Sequence, residues 1–209
     1  MDMIEKLKET LDLIDLESGK LKITTNESKI KISATLLVVS IDHARGIYSL
    51  LEKGNYPPAF ALIRVLFETY IRGKWVGRCA NEQQVEHFVK KDEILPPPGQ
   101  KLYFGQMVEE VEKTCNLPSF LSKFKQQTWS SMNSFTHGGV LQAQSNFNGK
   151  SVVSCYAEKQ INRVVLSTNM LACFAFSGLL DLANPSNGQQ VIEKIQEKIS
   201  PWAFSGWQD

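Results

Sequence analysis

Three stretches of this 209-residue chain put charged or titratable side chains where apolar ones are expected. The first is Ala59 to Ile71, AFALIRVLFETYI, whose only charges are Arg64 and Glu68. At 100° per residue, Phe60, Phe67, Ile71 and Trp75 project within about 60° of Arg64. The pair is therefore expected on an apolar face. A lone buried charge costs several kcal/mol, so each must be paired or line a polar cavity. The i,i+4 spacing admits a purely structural ion pair, and equally an anion-binding or catalytic pocket. Arg72 follows two turns after Arg64 and, with Lys74 and Arg78, reads as a solvated basic rim near the helix end.

The second stretch surrounds His43, whose neighbours at −7, −4, +4 and +7 are Leu36, Val39, Ile47 and Leu50. A histidine in such a stripe is either a hydrogen-bonded core residue or a member of a polar cluster. The third is SSMNSFTHGG, Ser130 to Gly139. Ser130, Asn133, Ser134 and His137 are expected on one helix face, with Trp129, Met132 and Phe135 on the other. His137 falls at the C-terminal end of that helix, the end that favours a positive charge, and the two glycines after it permit close approach of a ligand or another backbone. His87 lies on a charged amphipathic piece and is expected to be exposed.

Other chemistries lack their residues. Cys79, Cys115, Cys155 and Cys173 are widely spaced, with no C-x-x-C and no H-E-x-x-H, so neither a zinc site nor another metal is expected. No P-loop, G-x-G-x-x-G or G-x-S-x-G occurs, which removes support for nucleotide-hydrolase, dehydrogenase and serine-hydrolase readings, and no cofactor is expected. The 23 Lys+Arg against 22 Asp+Glu leave a net charge of +1, so no global field draws nucleic acid or an anionic membrane. Basic patches are local: Lys20/Lys22, Lys29/Lys31 and Arg72/Lys74/Arg78.

The elements that must position these residues are helices. Ile4, Leu7, Leu11 and Ile14 predict a first helix over about 3–16. Asn26 or Ser28 is placed to cap a second, long helix that ends at Lys53-Gly54. Pro57 and Pro58 suit the first turn of a third, running to about Cys79. These two are expected to pack antiparallel about a hinge near residue 55, which sets His43 opposite Phe67 and within a turn of Arg64 and Glu68 in height. A shorter helix follows over about 83–91, then the loop Leu95-Pro96-Pro97-Pro98-Gly99-Gln100. Helical patterns resume over 104–114 and 119–136. Asn148-Gly149 with Val152 and Val153 makes 144–156 a small β-hairpin or an irregular loop. Two helices, about 158–182 and 188–199, and an aromatic tail (Trp202, Phe204, Trp207) complete the chain. Val164 to Leu180 is 17 residues without a charge; its length and its Ser, Thr, Asn and Gly content favour a buried core helix over a membrane span. The expected architecture is an all-α bundle forming a single domain over 1–209, with 1–25 as N-terminal helix and loop, 26–182 as core and 186–209 as C-terminal helix and tail. The charged start, lacking an apolar stretch, and the free thiols suggest a cytoplasmic setting.

YPPAFALIRVLFETYIRGKWV together with the later SFTHGG resembles uncharacterised bacterial all-helical families, which are in turn similar to the HEPN superfamily. HEPN ribonucleases carry R-(N/D/H)-x-x-x-H on one helix. Asn133-Ser-Phe-Thr-His137 matches its second part, while Met132 occupies the arginine position. The resemblance implies metal-independent RNA cleavage or nucleotide-phosphate recognition in a defence or toxin setting, with RNA or a nucleotide as ligand and a homodimer as the assembly. In that case His137 moves the proton, Arg64 held by Glu68 stabilises phosphate charge in place of the missing arginine, and Asn133 orients the histidine or donates to phosphate. Arg72, His43 and Ser130 would line the substrate site. A reading from the residues alone stays beside it: a non-catalytic scaffold or binding protein whose Arg64–Glu68 pair fixes helix register.

Overall fold

The computed structural model describes residues 2–94 and 102–203. Among them every regular element is a helix and there is no strand: α1 Met3–Ser18, α2 Ser28–Glu52, α3 Tyr56–Arg78, α4 Glu82–Lys91, α5 Phe104–Thr114, α6 Phe120–Thr136, α7 Val140–Gln144, α8 Glu158–Ala183 and α9 Gly188–Ala203. The proline loop from Leu95 to Gln100, and Phe204 and Trp207 of the tail, lie outside the described residues.

α3 is the axis, packing against α2, α5, α6 and α8. Its junction with α2 is close because small residues line it. Ser33 Oγ donates to Gly73 O at 2.8 Å, Gly73 faces Leu36 and Leu37, and Gly46 faces Leu62. The contacts climb α2 as they descend α3, a course set by the turn at Lys53–Asn55, where Gly54 has φ +68°. On the opposite side Phe67 is fully buried, with Phe104 and Phe124 standing edge-on to it at 5.4 and 5.1 Å. α8 contributes Leu171, Ala172, Ala175 and Phe176, all buried. By length and composition it is the one described helix able to cross a membrane, and 72% of its apolar window is buried inside the protein. Trp202 packs into the core, with the Lys6 ammonium 5.9 Å from its ring.

Several expectations need correction. Ser28 is inside α2, and the residue before it, Glu27, makes no side-chain cap. Of the two alternatives for residues 144–156, the structure takes the irregular loop: one isolated bridge joins Phe147 and Val152 around Gly149, φ +90°, and Val153 N and Cys155 N donate across to Asn146 O and Ser145 O at 3.1 and 2.8 Å. The Asn146 side chain adds to this closure, donating to Gln142 O and to the Tyr156 hydroxyl. The five-residue α7 is too short for a periodic signal. Lys74 is not part of a solvated rim; it is buried. His87 is half-buried rather than exposed, its Nε2 3.6 Å from Glu93.

Candidate functional site

α3 and α6 meet at Arg64. Its Nε donates to Glu68 Oε1 at 2.8 Å, one turn along the same helix. Its Nη1 hydrogen-bonds to Nε2 of His137, 73 residues away in sequence. Its guanidinium carbon lies 4.9 Å from the Trp129 ring centroid, and that ring stacks on Phe104 at 4.9 Å. Arg72 reaches the other oxygen of Glu68 at 3.3 Å. Lys125 adds its ammonium 5.5 Å from Trp129. The side chains of Arg64 and Glu68 are 21% and 18% exposed, so the pair sits at the edge of the apolar seam and a solute can reach it.

Local structure aims the imidazole. His137 ends α6, Gly138 takes the left-handed conformation at φ +67°, and the Gly139 N–H returns to Ser134 O at 2.6 Å. That is the six-to-one closure of a Schellman turn. Position 139 admits no side chain: a Cβ there would stand 2.9 Å from Ser134 Cα and 2.5 Å from Ser134 Oγ. Ser134 Oγ also accepts from Leu141 N at 3.0 Å. On the α3 side, Thr136 Oγ1 donates to Ala61 O at 3.2 Å. The chain therefore leaves α6 in one direction, with His137 exposed beside Arg64.

Hydrogen-bond roles follow from inventory. A guanidinium only donates, so in this contact Nε2 of His137 stands as the acceptor. Arg64 Nη2 has no partner among the described residues, leaving its outer edge able to grip a further acceptor. Trp129, Asn133 and His137 recur at i, i+4 and i+8, so Asn133 lies on the stripe whose two ends contact Arg64. Its Oδ1 is buried without a hydrogen-bond partner among the described residues, an omission that costs about 1–3 kcal/mol unless a solute supplies the donor.

The residues singled out in the sequence divide accordingly. Arg64, Glu68, His137 and Arg72 come together. Asn133 is near them but makes no side-chain bond to His137 among the described residues. Ser130 is exposed and outside the cluster's hydrogen bonds. His43 is half-buried, burial pushes its imidazole below the usual histidine range, and no hydrogen bond or ion pair joins it to Arg64 or Glu68 among the described residues. Met132, at the arginine position of the motif, is buried and accepts a weak bond from Thr128 Oγ1 at 3.8 Å. Trp129 was missed: it belongs beneath Arg64 and not on the opposite face, and its i,i+4,i+8 spacing with Asn133 and His137 carried that signal. No group of three or more His, Cys, Asp and Glu side chains gathers at metal-binding distance among the described residues.

These features define an all-α protein in which a supported arginine and a helix-terminal imidazole meet on one partly exposed surface. A family profile matches residues 37–203, and the chain belongs to DUF6988, a family of unknown function. No curated protein and no solved structure matches it significantly.

Proposed function

We propose that the Arg64–Glu68–His137 cluster is a phosphate-ester site of HEPN-like type, acting on RNA or a nucleotide without a metal in a bacterial defence or toxin setting. The observation that carries this reading is the direct contact between the Arg64 guanidinium and the His137 imidazole, with Arg64 already held by Glu68 and Trp129. An arginine fixed on three sides loses little freedom when phosphate arrives, and its free Nη2 edge fits phosphate oxygens in a fork. Trp129 and Phe104 add an aromatic platform for a base.

The chemistry runs on these groups alone. An incoming phosphate draws the Arg64 donors away from His137 and frees Nε2. His137 then takes the proton of a ribose 2′-hydroxyl as its oxygen bonds to phosphorus, and returns it to the 5′-oxygen as the phosphorus–oxygen bond breaks. Arg64 meets the charge that builds on the non-bridging oxygens. The exposed apolar residues that follow His137, Val140, Phe147 and Val152 among them, are the surface this reading assigns to a second copy of the chain.

One observation favours the non-catalytic alternative. Arg64, Trp129, His137 and the Thr136–Ala61 bond together clasp α3 to α6, which is what a structural pair would do. Incubating the protein with RNA oligonucleotides in EDTA separates the two. Cleavage by wild type that disappears in folded His137→Ala and Arg64→Ala supports the site. Intact RNA, with no nucleotide binding and a lowered Tm for Arg64→Ala, supports the clasp.

A further inference from the structure

The C-terminal end of α3 carries a second group of charges, directed at α8. Lys74 is 8% exposed. Its stem passes over Gly178, where a Cβ would lie 3.2 Å from Lys74 Cδ and 2.9 Å from Leu37 Cδ1. The glycine is therefore the gap through which the lysine reaches its position. The ammonium stops 3.2 Å from Asp181 Oδ2, and Arg78 Nη2 lies 3.5 Å from the same oxygen. Two cations share one carboxylate, and one positive charge is left over.

An ammonium has three N–H donors, and Asp181 is the only partner of Lys74 among the described residues. The remaining donors border a cavity of about 440 Å³ between α3, α8 and the turn after α5. Tyr70, Asn116 and Ser177 also line it, and their side-chain polar groups make no hydrogen bond among the described residues. Asp181 is the sole acid among the described residues of the lining. A tie between α3 and α8 needs one cation for that carboxylate and no open polar cavity beside it.

We propose that this recess binds a small molecule through an oxyanion, carboxylate or phosphate monoester, held by Lys74 and Arg78 with Tyr70, Asn116 and Ser177 donating to the remainder. A polynucleotide is the wrong shape, because the lysine side chain is only 10% exposed and its head is reached from inside the cavity. The site shares no residue with the Arg64 cluster, so either can fail without the other.

The test is a site-resolved titration of full-length protein, following backbone amide NMR signals at constant ionic strength, with inorganic phosphate in one arm and acetate in the other. Signals of Asn116 and Ser177 are expected to shift saturably in at least one arm. Those of Trp129 and His137 report the other cluster separately. Arg78→Gln weakens the binding at Asn116 and Ser177 by about tenfold or more, the effect of one lost charge-assisted contact. Asp181→Asn tightens it, because the competing carboxylate is gone; a plain helix tie predicts no gain. Lys74→Gln abolishes it. If that variant does not fold, Arg78→Gln and Asp181→Asn, whose parent side chains are 47% and 40% exposed, decide the matter. Absence of saturable shifts in both arms, or shifts that neither variant alters in the stated direction, overturns the proposal.

Discussion

The two charged regions of α3 have the same arithmetic and different chemistry. In each, two cations share one carboxylate: Arg64 and Arg72 on Glu68, Lys74 and Arg78 on Asp181. At the first, the central cation is a planar fork gripped along its edge by a carboxylate and an imidazole and on its face by an indole. At the second, it is an ammonium with most of its donors open and, among the described residues, no titratable side chain other than Tyr70 and Cys115 lining the space with the charges. A pre-oriented fork beside an imidazole suits bond making and breaking, whereas a buried point charge in a polar recess suits holding. Net charge separates neither region from the other; the commitment of each donor does.

The largest expected effect lies at the first region. His137→Ala, and separately Arg64→Ala, are expected to lower RNA cleavage by about a hundredfold or more, the usual scale for a lost proton carrier or charge stabiliser, with circular dichroism checking that each remains helical. Glu68→Gln tests whether Arg64 needs holding. Activity is expected to fall while His137 is intact, and stability to drop by about 1–2 kcal/mol in chemical denaturation, since a partly buried pair is broken. If Glu68→Gln cleaves as well as wild type, pre-orientation is not what distinguishes the region.

At the second region, Gly178→Ala is the sharpest probe. The new methyl crowds Leu37 and the lysine stem, and overpacking of this kind costs about 1–3 kcal/mol, against about 1 kcal/mol regained from helix propensity. A measured gain in Tm would show that Lys74 does not depend on the gap. The smallest expected effect is at His43, which belongs to neither region. Burial holds its imidazole below the histidine range, so the unfolded chain takes up a proton before the folded one does. Its contribution is complete above about pH 6.5 and is lost as pH falls through its lower folded value. His43→Gln should flatten the decline in stability measured between pH 7 and pH 5.

The long helices were legible from periodicity, turn residues and proline placement, because those are local properties. The α3–α6 meeting was legible only as a need: Arg64 and Glu68 on an apolar face called for a partner, and His137 was a candidate, but nothing local joins residues so far apart. Trp129 was assigned to the wrong face despite its spacing. Lys74 illustrates the harder case. Beside Arg72 and Arg78 near a helix end it looks solvated, and only a glycine on another helix, 104 positions later, makes room for its burial. Residues 144–156 stayed open between a hairpin and an irregular loop for another reason: an Asn-Gly turn can close one bridge without extending it into strands.

Gly139 has no functional group, yet the tight closure onto Ser134 that it allows determines where the imidazole stands. Any replacement there would swing the end of α6 while every polar side chain kept its identity. A comparison of related chains that looked only for acids, bases and cations would then pass over the position on which the placing of His137 rests.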